Sequence, residues 1–142
     1  MATVRDRLWI WTHQAGSYDG TFGLPGPSRI TPAEAARWLG VPNLIFVVLG
    51  NRPEPPFAPH AEPMRGLDRV IWSIVGDASS TRNNAGTDLQ AVLDLAGGFP
   101  NVVGAMMDDF FCAPRTAGGK QARHSLAEIR RLRRQLHAQP QP

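Results

Sequence analysis

The sequence predicts one α/β domain with a parallel sheet of four strands, and three observations support that class. Four apolar, strand-like runs alternate with helix-start signals along the 142 residues. Two of those runs, residues 43–49 and 101–107, are almost continuously apolar, which is typical of strands covered on both faces. The segments between the runs are long enough for the crossover connections that parallel pairing requires.

The architecture that we expect is half of a (β/α)₈ TIM-type barrel over residues 1–137, with residues 138–142 as a disordered tail. A complete barrel needs about 250 residues, and the four βα-like units of this chain supply half of its strands. The alternative is a small open doubly wound sheet. In a half barrel the edge strands would need partners, and a homodimer through the open sheet edges could supply them.

The strands are predicted from the apolar runs, and the helices from their start signals. Helices should begin at residues 31–34, 87–90 and 125–128; the first of these segments is a capping box with Pro at the first helical position. Five prolines between residues 51 and 68 exclude a long regular helix and predict a stiff loop of the kind that often binds ligands. The strands should cover residues 8–12, 43–49, 69–75 and 101–107.

Composition excludes some classes of function. The hydrophobic content of 42% suits one soluble globular domain, and no apolar run reaches the roughly 18 residues of a membrane span, so we expect a cytoplasmic location. Residues 115–142 carry six Arg and one Lys against Glu128. No aromatic residue is interleaved with these arginines, so nucleic acid is not expected as a partner. The single Cys112 is interpreted as a buried apolar filler.

Polar side chains follow each of the four predicted strands. Because the carboxyl ends of parallel strands lie at one edge of a sheet, these side chains should converge there and form a site. Trp11 and Trp72 lie near strand ends, and either could stack against a sugar ring. The residues that we predict to bind substrate are His13, Asp19, Arg52, Trp72 and Asp77. The four histidines are scattered and no phosphate loop is present, so neither a metal nor a cofactor is expected.

Asp108 and Asp109 are the predicted catalytic residues. Two neighbouring carboxylates repel each other, and burial near Phe110 and Phe111 would raise the pKa of one of them. We expect one Asp to act as a general acid and the other to polarise the substrate or orient its partner. Consecutive strand residues point to opposite faces, so both can reach one pocket only if the strand ends or turns there.

Several segments carry a resemblance to a known group of proteins. They are WIW at residues 9–11, SYDG at 17–20, LPGPS at 24–28, LGVPN at 39–43, VIWSI at 70–74 and MMDDFF at 106–111. In these segments the chain resembles uncharacterised bacterial proteins with a TIM-barrel, glycoside-hydrolase-like fold. The resemblance covers residues 8–137 and implies that the chain corresponds to the N-terminal half of such a barrel.

The Asp pair also resembles the adjacent Asp residues that end the fourth barrel strand in some retaining hexosaminidase-type glycosidases. This resemblance implies that Asp108 orients and polarises an acetamido group of the substrate, and that Asp109 is the acid/base.

The function that we predict is that of a glycoside-hydrolase-like domain acting on a carbohydrate, or another small polar substrate, by carboxylate acid–base chemistry. The first alternative is a non-catalytic, truncated half barrel that binds carbohydrate or serves in assembly. The second is an α/β domain in which Asp77, Asp108 and Asp109 bind a divalent cation.

Overall fold

A computed structural model of the chain describes residues 3–24, 26–84, 86–111 and 122–139. None of the described helices is long and apolar enough to cross a membrane. Cys112 lies outside the described residues, as do residues 140–142 of the predicted tail. The strands are β1 (Trp9–Thr12), β2 (Asn43–Phe46), β3 (Arg69–Val75) and β4 (Val102–Met107), and the helices are α1 (Pro32–Leu39), α2 (Ala58–Ala61), α3 (Leu89–Gly98) and α4 (Leu126–His137).

The four strands form one parallel sheet in the order β1-β2-β3-β4. The predicted α/β class and the parallel pairing are therefore confirmed. A doubly wound sheet reverses its strand order at a switch point and carries helices on both faces. Here the order is sequential, and α1, α3 and α4 contribute to one buried cluster on a single face of the sheet. The doubly wound alternative is therefore wrong.

The core lies between this face of the sheet and the helices. Phe46 and Trp72 pair in register on β2 and β3, and their rings stack with centroids 4.3 Å apart. Trp72 is 0% exposed, and Phe57 from the proline-rich connection packs on its other side. The large aromatic surface of Trp72 thus contributes to the hydrophobic core.

The opposite face of the sheet is open in part, although Ser73 on it is 0% exposed. Trp11, Ile45 and Ile71 pair with one another in register across β1, β2 and β3, and Met106 lies on the same face beside Ser73. The buried cluster beneath the helices includes none of these side chains. Trp11 is 50% exposed, and Ile45, Ile71 and Met106 remain partly exposed.

The second strand is shorter than the apolar run predicts. Residues 47–49 are apolar, but β2 ends at Phe46. Beyond it, the amide of Val48 donates to Ser73 Oγ (2.9 Å) rather than to a carbonyl of a neighbouring strand. The carbonyl of Val48 accepts from the amide of Asp77, so this segment bonds to the loop after β3.

All three helices begin where the sequence predicts, and two of them begin with a capping box. Thr31 and Ser125 each form a complete capping box, with Glu34 and Glu128 respectively, an arrangement that contributes about 1 kcal/mol per cap. Asp88 precedes α3 without capping it. Its carboxylate instead binds the guanidinium of Arg82 at 2.7 Å.

The connection between β2 and β3 contains no long helix, as its prolines predict. It contains only the four-residue α2 and a following 3₁₀ turn, Glu62–Met64. Phe57, Ala61 and Met64 are buried against the sheet. This short segment therefore occupies the place of a full crossover helix.

Candidate functional site

The carboxyl ends of the strands form a polar rim, which we define as His13, Tyr18, Asp77, Asp108 and Asp109. β4 ends at Met107, and the chain turns at Asp108 and Asp109. Asp109 has a φ of 39°, the left-handed conformation that Asp tolerates in turns. Consecutive residues of a regular strand point to opposite faces. Because the strand has ended here, both carboxylates can serve one site.

Asp108 has a proton affinity above that of an ordinary aspartate. Burial is the main cause that raises its pKa, and the negative charges of Asp109 and Asp77 add to it. The backbone amide of Asp109, which donates to Asp108 Oδ1 (3.0 Å), and the positive charge of His13 act in the opposite direction. The net effect is a pKa for Asp108 above that of an ordinary aspartate, which is the direction that a general acid requires.

Asp109 is held in place by the neighbouring loop. Its Oδ2 accepts a hydrogen bond from the backbone amide of Ala78 at 2.8 Å. The side chain is exposed, so its remaining oxygen faces solvent at the rim. Asp109 is therefore an oriented carboxylate beside a carboxyl group with a raised pKa.

Asp77 joins the loops that follow β2 and β3. Its oxygens accept hydrogen bonds from the amide of Gly50 (3.0 Å), from the hydroxyls of Ser79 (2.6 Å) and Ser80 (2.7 Å), and from the amide of Ser79. Burial alone would raise the pKa of Asp77, but these hydrogen bonds outweigh burial and lower it. Asp77 is an ionised structural anchor of the rim.

His13 and Tyr18 form a pair, of which only His13 was predicted to belong to the site. The Tyr18 hydroxyl lies 3.2 Å from Nε2 of His13, and the two rings meet edge to face. Burial first, and then the negative charges of Asp77, Asp108 and Asp109, raise the pKa of Tyr18. The phenol therefore stays protonated and feels the field of all three carboxylates. Sequence reasoning did not select Tyr18, although it is the only tyrosine of the chain.

The remaining predicted binding residues are not part of the rim; they are Asp19, Arg52 and Trp72. Asp19 closes its own loop by accepting the amide of Ser28 at 2.8 Å. Arg52 is exposed and pairs with Leu49 through backbone hydrogen bonds; no side-chain bond joins it to the rim within the described residues. Trp72 is fully buried, so a sugar ring has no access to it. The prediction that Trp72 binds substrate is corrected for that reason.

A cleft of about 530 Å³ lies beside β1 and reaches the rim. Trp11, His13 and Tyr18 line it, together with apolar side chains such as Ile30. Trp11 is half exposed and offers the aromatic surface that Trp72 does not. The cleft thus combines a flat apolar wall with the polar pair that adjoins the carboxylates, as ligand sites commonly do.

Arg123 is a second residue of this region that the sequence did not indicate. Its guanidinium donates to the backbone carbonyls of Gly76 (3.4 Å) and Asp77 (2.8 Å). The amide of Arg123 also bonds to the carbonyl of Phe110. Arg123 thereby connects the segment before α4 to the ends of β3 and β4.

The geometry does not favour the divalent-cation alternative. Within residues 3–24, 26–84, 86–111 and 122–139, no three His, Cys, Asp or Glu side chains are grouped so that they could hold a metal ion. Both oxygens of Asp77 already accept hydrogen bonds from the loops, so they are not free for a cation.

Comparison with known proteins adds no relative. No protein-family model matches the chain, and neither the curated proteins nor the solved structures gave a significant match. A carboxyl group with a raised pKa, an oriented carboxylate and an aromatic-walled cleft at one rim are suited to acid–base chemistry on a polar substrate.

Proposed function

We propose that the chain is a glycoside-hydrolase-like domain that acts on carbohydrate through carboxylate acid–base chemistry. The observation that carries the proposal is the contrast between the neighbouring carboxyl groups: the pKa of Asp108 is raised, while Asp109 is oriented by the amide of Ala78. Glycosidases need a protonated carboxyl group beside a second carboxylate, because the leaving oxygen must receive a proton as positive charge develops on the sugar.

In the proposed mechanism Asp108 donates its proton to the glycosidic oxygen while the bond from that oxygen to the anomeric carbon breaks and the alcohol leaves. Asp109 stabilises the charge that develops on the sugar or orients its substituent, and the Tyr18 hydroxyl supplies a further hydrogen-bond donor. Water then adds to the anomeric carbon and returns a proton to Asp108. The exposed face of Trp11 stacks against a sugar ring in the cleft. These assignments reverse the roles that the hexosaminidase-type resemblance implies for the two Asp residues, because burial favours the acid form at Asp108.

The proposed architecture is half of an eight-stranded barrel. Two features support it: the sequential parallel order of the strands and the burial of only one face of the sheet beneath the helices. In (β/α)₈ barrels the strands follow one another around the ring, every helix lies outside, and the chemistry occurs at the carboxyl ends of the strands.

Leaving-group dependence tests the proposal. Turnover of aryl glycosides with good and with poor leaving groups would be measured for the wild-type chain, Asp108→Asn and Asp109→Asn. If Asp108 is the acid, Asp108→Asn loses about 100-fold or more on poor leaving groups, which need protonation, and much less on dinitrophenyl glycosides. Asp109→Asn should lose activity on both kinds of substrate.

The matched control is Asp94→Asn, which removes an exposed carboxylate on α3 that bonds only to Gln90. It should leave turnover unchanged. Absence of turnover across the glycoside panel, or turnover that survives both rim substitutions, would contradict the proposed function. The reverse pattern, with leaving-group dependence confined to Asp109→Asn, would assign the acid to Asp109.

A further inference from the structure

The sheet has two free edges, and the strands at these edges run in the same direction. β1 is hydrogen-bonded only to β2, and β4 only to β3, among the described strands. All four strands run the same way. Unpaired backbone groups at a sheet edge favour the addition of another strand, and a strand that continued the pairing seen within this sheet would be parallel to it.

Partly exposed apolar side chains lie on the open face and at the β4 edge. On the open face, Ile45, Ile71 and Met106 remain partly exposed. On the β4 side, Val103 is 36% exposed and borders a hollow of about 440 Å³ between α3, β4 and α4. Closing the sheet against a second copy would remove this apolar surface from water.

We infer that two copies of this chain associate about a two-fold axis parallel to the strands, with β4 of each copy pairing with β1 of the other, and so close an eight-stranded parallel barrel. A two-fold rotation about that axis keeps every strand direction and places a β1 edge beside each β4 edge. Both edges of both sheets are then paired, and the two open faces enclose one core. Trp11 lies one residue from the carboxyl end of β1, so it stands at the mouth of the barrel and stays accessible to a ligand.

A second copy fits better than an unrelated partner because the two free edges belong to one sheet and must be satisfied together. Another copy presents both complementary edges with the same four-strand span. All eight strand ends would lie at one mouth of the barrel, so two rims with their Asp108–Asp109 pairs would share it. The inference rests on the half-barrel architecture within the proposed function and is tested without any measurement of activity.

Sedimentation equilibrium and light scattering on the full chain test the association. The expected mass is twice 15.5 kDa. Val103→Lys places a charge at the β4 edge and should weaken the dimer at least tenfold. The matched control is Ala58→Lys, at an exposed position on α2 that is remote from both edges, and it should leave the dimer intact. Circular dichroism establishes that each variant is folded.

Hydrogen exchange on the wild-type chain gives a readout that needs no variant. Amides of β1 and β4 should both gain protection as the protein concentration rises, while those of β2 and β3 change little. A folded wild-type chain that remains monomeric at about 100 μM would overturn the inference, as would protection of one edge alone or growth into open-ended oligomers. A monomer that retained glycosidase activity would show that the dimer inference is wrong while the proposed function still holds.

Discussion

Asp109 Oδ2 accepts a hydrogen bond from the backbone amide of Ala78 at 2.8 Å, and this contact ties the turn after β4 to the loop after β3. It fixes one carboxylate of the Asp pair and leaves the other, Asp108, with a raised pKa from burial. The rim therefore contains two carboxyl groups adjacent in the chain, one oriented by a neighbouring loop and one whose pKa is raised.

Opposite pH dependences are expected for two isosteric substitutions at the rim. Hydrogen bonds lower the pKa of Asp77, so its ionised form stabilises the fold above the ordinary pKa of 3.8, and that contribution disappears as pH falls through the lowered value. Asp77→Asn should therefore reduce the free energy of unfolding by about 1–2 kcal/mol at pH 7, with less effect near pH 3.

Asp108 should behave in the opposite sense. Burial raises its pKa, so its contribution is present below the ordinary value and is lost as pH rises through the raised one. Asp108→Asn should thus be more stable than the wild-type chain at pH 7 and equally stable near pH 3. Urea unfolding of both variants at pH 3 and pH 7 measures whether the free energy of unfolding changes in opposite directions. A loss of stability at pH 7 in Asp108→Asn would contradict the expectation for Asp108.

Two tryptophans should respond differently to truncation. Trp72 is 0% exposed and stacks on Phe46, so Trp72→Ala should cost about 3–5 kcal/mol through lost burial and cavity formation. Trp11 is half exposed on the open face, so Trp11→Ala should cost the fold much less and weaken carbohydrate binding instead. Denaturant unfolding and titration with oligosaccharides separate the two effects; similar stability losses would contradict the assignment of faces.

Gly76 should tolerate no side chain. A Cβ at this position would lie 2.5 Å from both Ser80 Oγ and the backbone oxygen of Val48. The backbone oxygen cannot move without disturbing the loops of the rim, so Gly76→Ala should cost about 2–3 kcal/mol. Gly97→Ala is the control, because a Cβ there meets no atom within 4 Å and alanine favours the helix by up to about 1 kcal/mol. Thermal unfolding should shift in opposite directions.

The ion pair between Arg82 and Asp88 should matter far more than an exposed one. Asp88 is 8% exposed, and Arg82 also donates to the backbone carbonyls of Asn51 and Pro53. Arg82→Met would leave a buried carboxylate unpaired and should cost about 3 kcal/mol. Arg65→Met breaks the exposed pair with Glu62 and should cost less than about 1 kcal/mol. Equal losses in chemical denaturation would contradict this.

Local signals in the sequence were sufficient for most of the elements. Arg69–Val75 forms a strand over the whole of its predicted apolar run, and the capping boxes of Thr31 and Ser125 appear as their spacing predicts. These features depend on residues within a few positions of one another. The end of β2 does not, because Ser73, 25 positions away, provides the acceptor for Val48.

The site was harder to predict for the same reason. Alternation along a strand shows that side chains point to two faces, but not which face the helices cover. Both faces of the central strands are apolar, so Trp72 and Trp11 were equivalent candidates. Tyr18 was not selected because its contact with His13 depends on the path of a loop. The ion pair of Asp88 with Arg82 was not predicted because Arg82 approaches Asp88 only in the folded chain.

Carboxyl titration of Asp108 is the direct test of the acid that we place at the rim. Side-chain carboxyl ¹³C shifts would be followed by NMR from pH 2 to pH 8, with Asp108→Asn and Asp77→Asn used to assign the resonances. We expect Asp108 to titrate above the ordinary value of 3.8 and Asp77 to titrate below it. An Asp108 resonance that titrates at or below 3.8 would contradict the assignment of Asp108 as the acid of the rim.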